Sequence, residues 1–391
     1  MENFVFNIPT IAYVGKGQLS NLSSSIKQFG GSKVLLVYGG GSIKKNGIYN
    51  SVVNEMQSAD IAYTELSGVK PNPRIEDAIK GIELYRQKGC DFILAVGGGS
   101  TIDAAKAIAA GVKYKGELID LVNANALIQD AAPLASVLTM AGTGSELDPA
   151  SVITVGDDHK KYLLVHPLLN PKFSIIDPEF TYSVPKKHVM AGCSDILSHL
   201  MEQYLRSEED SEVLDGMSEG IMKAVIKNTL IIKDDPHNYV ARANIAWASS
   251  MALAGFQFMG GKSFSAFPVH SLGHELSSFN DMTHGETLAL ITPSWIRFNL
   301  EKAPQYTTMF ARFARNVFAV QESDDLKAAQ KGVQKLEQWY MDIEMPKNLR
   351  AAGIPEEKLE YLATKATERG DIGTLTPINK EQALEIYKMA W

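Results

Sequence analysis

Cysteine is nearly absent: only Cys90 and Cys193 carry a thiol in 391 residues. They are far apart and have no CxxC partner. That excludes a disulfide framework and a structural cysteine–zinc site, and it suits a reducing cytosol. Long runs of Lys and Arg are missing too. The 38 basic and 45 acidic residues leave a formal charge of −7, a poor match for nucleic acid or an anionic membrane. The start, Met1-Glu2-Asn3 with Pro9 soon after, has neither the basic residues nor the apolar run of a signal peptide. The most apolar long stretch, 245–261, is short and holds Ser249, Ser250 and Gln257; it reads as a buried helix, not a membrane span. These absences point to a cytoplasmic chain with no nucleic-acid or membrane partner. What is present, 45% apolar and 21% charged residues over a length fit for two domains, is the mix of a globular protein with a full core.

The first part of the chain alternates strand and helix patterns. Residues 33–38 (KVLLVY), 61–66, 91–96 (DFILAV), 134–139 and 173–176 read as strands, several with the continuous apolar run of a buried parallel strand. Helical segments are expected at 49–58, 75–88 and 101–110. This βαβ rhythm predicts a parallel, doubly wound, Rossmann-like sheet. After Pro185 strand patterns nearly vanish. Helices are expected at 187–206, 213–232, 237–259, 288–299, 324–341 and 380–390, the last with a capping box from Asn379 to Gln382. The expected division is an α/β dinucleotide-binding domain over 1–184 and an all-α metal-binding domain over 185–391. With no flexible linker between them, the halves are expected to pack with a ligand cleft between.

Two glycine loops follow expected strands. Gly97-Gly98-Gly99-Ser100 lies between a strand and a helix, where backbone N–H groups and the helix dipole favour a pyrophosphate. The usual dinucleotide fingerprint is incomplete, because Ile102 stands at the third glycine position. Such a turn by itself serves equally to reverse the chain. Gly39-Gly40-Gly41-Ser42 is followed by Lys44, Lys45 and Asn46, with no acid until much later. An acid there would bind a ribose 2′-OH and favour NAD(H); small donors and lysines suit a 2′-phosphate, so NADP(H) is the preferred expectation. The competing reading is a solvated helix start. A third small-residue loop, 139–146, offers hydroxyls and backbone donors for phosphate or nicotinamide, or simply turns the chain.

Four of the eight histidines are organised. Asp195 and His199 are four apart within a helical pattern and project from one face. His270 and His274 repeat that spacing, and His284 follows an expected turn over 277–283. Asp195 and His199 give one oxygen and one nitrogen ligand, and His270 and His284 could complete the set. Imidazole and carboxylate suit Fe²⁺, Zn²⁺ or Mn²⁺. One such pair is more often an ordinary helix face; two pairs and a third histidine-bearing loop weigh toward a metal. Catalytic zinc commonly has three protein ligands, whereas four plus a substrate need five bonds, comfortable for Fe²⁺ and possible for zinc.

Taken together, these stretches resemble the iron-containing (group III) alcohol dehydrogenases, and among them the butanol dehydrogenase-like, NADPH-dependent aldehyde reductases. The matching runs include ILAVGGGSTIDAAKAIAAG (93–111), TMAGTGSE (139–146), DILSHLMEQY (195–204) and HSLGHELSSFNDMTHGETLAL (270–290). The resemblance implies a dehydroquinate synthase-like superfold, a homodimer, and a divalent metal, Fe²⁺ or Zn²⁺, on Asp195, His199, His270 and His284. It places Gly98, Gly99 and Ser100 at the pyrophosphate and Gly39, Gly40, Ser42 and Lys45 at the 2′-phosphate. Asn72, Asp103, Thr139, Thr143 and Lys161 match further cofactor-side positions. The implied reaction moves a hydride between NADP(H) and a primary alcohol or aldehyde such as butanol or butyraldehyde. His274 lines the implied site without being a main ligand. Its imidazole is a candidate proton relay, weighed evenly against a packing role. Two alternatives stay open: within the same superfold a polyol dehydrogenase or a sugar-phosphate cyclase, the cyclase disfavoured because only Lys262 lies near the histidines, and from a different class a non-catalytic, metal-bound dinucleotide sensor.

Overall fold

The protein is described from a computed structural model over residues 3–156, 160–206, 211–256, 267–280 and 282–391. His159, Lys262 and Asp281 lie outside the described residues. The chain folds into two compact units. One comprises Asn7–Val184 with Ser249–Ala254; the other comprises Met1–Phe6, Pro185–Ala248 and Gly255–Trp391.

The first unit is built on a six-stranded sheet. Its strands are β1 (Ile11–Val14), β2 (Lys33–Tyr38), β3 (Ala62–Leu66), β4 (Phe92–Gly97), β5 (Leu134–Leu138) and β8 (Phe173–Ile176), in the order β1-β8-β5-β4-β2-β3. Every pairing is parallel. Every residue of β4 and of β5 is buried, which explains their unbroken apolar sequences. Between strands run α1 (Ile48–Ser58), α2 (Ile75–Lys88) and α3 (Gly99–Lys113). Helices α2 and α3 approach closely because glycines face isoleucines: a methyl on Gly81 would sit 2.3 Å from Ile108 and one on Gly111 2.2 Å from Ile82. The chain runs from β2 out to β3 and returns to place β4 on the other side of β2. Successive connections therefore diverge between β2 and β4, and the loops after β2, β4 and β5 open at one end of the sheet. That is where doubly wound sheets bind ligands.

The second unit is helical. Its principal helices are α4 (Lys186–Tyr204), α5 (Glu212–Asp234), α6 (Tyr239–Ala252, whose last turn belongs to the first unit), α7 (Pro268–Asn280), α8 (His284–Lys302), α9 (Thr307–Phe318), α10 (Asp325–Asp342), α11 (Leu359–Ala366) and α12 (Lys380–Ala390). Helices α4 and α8 are buried along most of their length and form the unit's centre. Helix α12 opens with the expected capping box: Asn379 Oδ1 accepts from the Gln382 N–H and Gln382 Oε1 from the Asn379 N–H, both at 3.0 Å.

Helices α9 and α11 were not named from the sequence, and further features depart from that reading. The strand β1 and the antiparallel pair β6 (Ala150–Val155) and β7 (Lys160–Val165) were not anticipated. Helix α6 stops at Ala252, well before 259; Gly255 soon follows with a left-handed φ of 92°. Residues 277–280, expected as turn, complete α7, so the break before His284 is short.

Candidate metal centre and dinucleotide loops

In the first unit each glycine loop lies between a strand and a helix, as the sequence pattern predicts. Gly98 caps α3, and Gly99 is its first residue. The first-turn N–H groups of a helix lack intrahelical partners and favour an anion. A methyl on Gly99 would lie 2.2 Å from Thr143 Oγ1, and one on Gly98 3.1 Å from Met140 Cβ. The loop after β4 is thus seated against the loop after β5, bringing Gly98, Gly99, Thr139 and Thr143 together; the Thr139 N–H also donates to the Gly97 carbonyl at 3.0 Å. Ser100 follows in the first turn of α3. Asn72, with a left-handed φ of 53°, and Lys161 flank one strand: Thr154 takes its N–H to Pro73 O at 2.8 Å and pairs with Lys161 across the β6–β7 ladder.

Asp103 is held from two sides. Its Oδ1 accepts from Ser145 Oγ at 2.6 Å and its Oδ2 from the Val152 N–H at 3.0 Å. Nearby Lys106, fully buried, donates to Ser145 Oγ, Asp148 Oδ1 and the Ala150 carbonyl at 2.7–2.8 Å. Burial pushes Asp103 up to about 6, against the pull of Lys106. The sequence reading missed Lys106 because a lysine inside an alanine-rich helix looks like a solvated position.

The loop after β2 carries a second surprise. No acid follows it closely in sequence, yet β3 sets Glu65 beside it. Lys44 Nζ lies 3.1 Å from Glu65 Oε2, Tyr49 donates to Glu65 Oε1 at 2.5 Å, and Tyr38 donates to Oε2. Burial works against the charge on Glu65, but the two phenols and Lys44 together hold it below the usual carboxylate range. Lys44 is therefore paired, while Ser42 and Lys45 at the same turn are exposed.

The second unit gathers the predicted metal residues. Asp195 and His199 lie on consecutive turns of α4, His270 and His274 on consecutive turns of α7, and His284 is the first residue of α8. Ligand atoms of Asp195, His199 and His270, all buried, lie within 4.8 Å of one another. From Asp195 Oδ1 the distances are 3.7 Å to His199 Nδ1, 3.6 Å to His270 Nε2 and 3.8 Å to His284 Nε2. These are too long for hydrogen bonds. They fit atoms sharing one cation, since two ligands each about 2.1 Å from a metal at a tetrahedral angle stand about 3.4 Å apart. His199 Nδ1 and His270 Nε2 are buried without a hydrogen-bond partner, a costly state that a cation would relieve. The residues therefore fit a divalent metal. Burial pushes His199 down to about 4, which keeps its lone pair available. At His270 burial again disfavours charge, but the carboxylates of Glu202 and Asp195 outweigh it and raise the group to about 9.

The ring centroid of His274 is 5.0 Å from that of His284 and 6.2 Å from that of His270. Glu202, on α4, escaped the sequence reading altogether. It is 1% exposed, and its carboxylate accepts from His270 Nδ1 and from the Val269 N–H. The available signal was its spacing seven residues after Asp195, which puts both on one helix face.

A parallel sheet with three loops at one end and a helical unit holding an Asp/His cluster are the parts that a metal- and dinucleotide-dependent class of enzyme needs. The comparisons agree. The iron-containing alcohol dehydrogenase model matches residues 9–178, and the C-terminal model of the Fe-containing alcohol dehydrogenase family matches residues 189–391. NADH-dependent butanol dehydrogenase A of Clostridium acetobutylicum is 40% identical over the full length of both chains. The NADPH-dependent aldehyde reductase YqhD of Escherichia coli is 31% identical, also over the full length of both. The crystal structure of NADH-dependent butanol dehydrogenase A from Thermotoga maritima superposes with a TM-score of 0.95 at 34% identity, covering 100% of this chain and 99% of that one. The chain belongs to the iron-containing alcohol dehydrogenase family and is an alcohol dehydrogenase-type oxidoreductase. Membership implies a divalent metal and a nicotinamide dinucleotide.

Proposed function

We propose that this enzyme interconverts primary aldehydes and alcohols of the butyraldehyde/butanol kind, with Asp195, His199, His270 and His284 holding the metal. The observation that carries this reading is the buried grouping of Asp195, His199 and His270, with two ring nitrogens that lack any other partner. The bound cation supplies Lewis acidity toward the carbonyl oxygen, and the dinucleotide supplies or accepts the hydride. The chain supplies the rest. Gly98, Gly99 and Ser100 present backbone donors to the pyrophosphate, with Thr139, Thr143, Asn72, Asp103 and Lys161 as further cofactor-side groups. Phe267, its ring centroid 5.2 Å from that of His270, gives the cluster an apolar wall. His274, beside the cluster, holds and moves the proton that the alcohol gains or loses.

For the dinucleotide we infer that both forms are used. Ser42 and Lys45 serve the 2′-phosphate of NADP(H), as the sequence led us to expect. The Lys44–Glu65 pair cancels one of the two lysine charges at the same turn, which accommodates NAD(H). The NADH dependence named for the butanol dehydrogenases supports the second part, and the NADPH dependence named for YqhD the first. The family likeness and the two free, buried cysteines support a homodimer of the reducing cytosol. Butyraldehyde reduction with NADPH and with NADH, before and after chelation and refilling with Fe²⁺ or Zn²⁺, tests this reading. Metal-dependent turnover with both dinucleotides is expected; turnover that survives complete metal removal contradicts it.

A further inference from the structure

We propose that Glu202 is the positioning carboxylate of the metal centre: it fixes the ring of His270 and thereby sets how tightly the site holds a divalent cation. The inference rests on the metal reading above and adds a residue to it.

Glu202 sits on α4 seven residues beyond Asp195 and three beyond His199, on the face that carries both. It is 1% exposed. Three donors converge on it from α7. His270 Nδ1 contacts Oε1, the Val269 N–H donates to Oε2 at 2.7 Å, and the His270 N–H reaches Oε2 at 3.4 Å. Ser198 Oγ adds a contact to Oε1 at 3.2 Å. Because α7 begins at Pro268, which has no N–H, Val269 and His270 carry the first donors of that helix. One carboxylate thus caps α7 and grips the side chain of its third residue.

The grip has a chemical consequence. An imidazole that donates from Nδ1 carries its lone pair on Nε2. His270 Nε2 is the buried nitrogen without a hydrogen-bond partner, 3.6 Å from Asp195 Oδ1. Glu202 therefore selects the tautomer, aims the ring, and makes the ligand more electron-rich. Its charge, with that of Asp195, also balances a divalent cation inside a buried site. Carboxylates that brace a ligating histidine in this way typically contribute roughly 10–100-fold to metal affinity.

The test is zinc affinity by competition with a chromophoric chelator, together with the visible spectrum of the Co²⁺-loaded protein. Wild type, Glu202→Gln and Glu202→Ala are compared as full chains, with far-UV circular dichroism confirming the fold of each metal-free sample. The glutamine variant keeps the volume and supplies the measurement if the alanine variant does not fold. We expect zinc affinity to fall roughly 10–100-fold in Glu202→Gln, with an altered Co²⁺ spectrum and an intact fold. A loss of melting temperature with unchanged zinc affinity and an unchanged Co²⁺ spectrum would show a helix cap only and overturn the assignment. Wild type that takes up no zinc would overturn the metal reading itself, and this assignment with it.

Discussion

Lys44 Nζ lies 3.1 Å from Glu65 Oε2 and 4.4 Å from the centroid of the Tyr49 ring. A lysine that in sequence offers positive charge to a 2′-phosphate is instead held by an acid on the neighbouring strand. Replacing Glu65 by Gln removes the charge that holds Lys44 and leaves one amide oxygen as acceptor where the carboxylate offered two, to Tyr49 and to Tyr38. The ratio of kcat/KM for NADPH to that for NADH should rise about threefold, the scale of one exposed charge pair. Lys45→Ala should lower it. Steady-state kinetics with both dinucleotides checks this, and a ratio that moves in neither variant removes these lysines from the selection of cofactor.

His274 should separate from the ligands. His274→Ala is expected to retain its metal and to lower kcat roughly a hundredfold, the lower end of what a positioned acid–base group contributes. The pH dependence of kcat should flatten with it. Metal analysis beside the kinetics decides: loss of metal makes His274 a ligand, and an unchanged kcat makes it a packing residue.

Gly285 stands against the helix that carries Asp195. A methyl there would lie 1.8 Å from the carbonyl oxygen of Ala191, and the Gly285 carbonyl accepts from Ser194 Oγ at 2.8 Å. The adjacent His284 is positioned by that close approach of α8 to α4. Gly285→Ala should cost about 1–3 kcal/mol of stability by overpacking and should weaken metal binding at the same time. Thermal melts of the metal-free and zinc-loaded variant measure both. A variant as stable and as zinc-responsive as wild type contradicts the packing argument.

Glu146 gives the first unit a pH dependence. Burial pushes its carboxyl up from 4.5 to about 7, with the Ser250 hydroxyl, donating at 2.6 Å, pulling the other way. Between those values the folded chain keeps a proton that the unfolded chain has released, so stability falls as pH rises through the interval. The shift is worth at most about 3 kcal/mol at 1.36 kcal/mol per unit. Glu146→Gln keeps an acceptor for Ser250 and cannot ionise. Its denaturant midpoint should drop less than that of wild type between about pH 5 and about pH 8. Parallel curves for the two proteins would rule out this titration.

What the sequence disclosed follows a physical line. Strands β2 and β8 and helices α2 and α12 have the bounds their patterns indicate, because their signals are local: an apolar run, a face, a cap, a glycine. Strand β1 escaped because its apolar run is only four residues long and lies at a sheet edge with Ile11 and Val14 exposed. The β6–β7 pair escaped because its lysine-bearing second strand has one buried position in six. The same line divides the site. Asp195 and His199 declare themselves through spacing on one helix. Glu202 meets its partner 68 positions away, and Lys44 meets Glu65 21 positions away. An acid on a helix or an edge strand reads as solvated until the fold brings its donor to it.

The central claim is a divalent metal on Asp195, His199, His270 and His284. The most direct measurement is metal stoichiometry by elemental analysis, made on wild type and on His199→Ala after loading with Fe²⁺ or Zn²⁺ and desalting. The account predicts one metal per chain in wild type. It predicts near-complete loss in the variant, with butyraldehyde turnover falling by roughly three orders of magnitude or more, the several kcal/mol a Lewis acid supplies. A variant that keeps one tightly held metal and full turnover would contradict it.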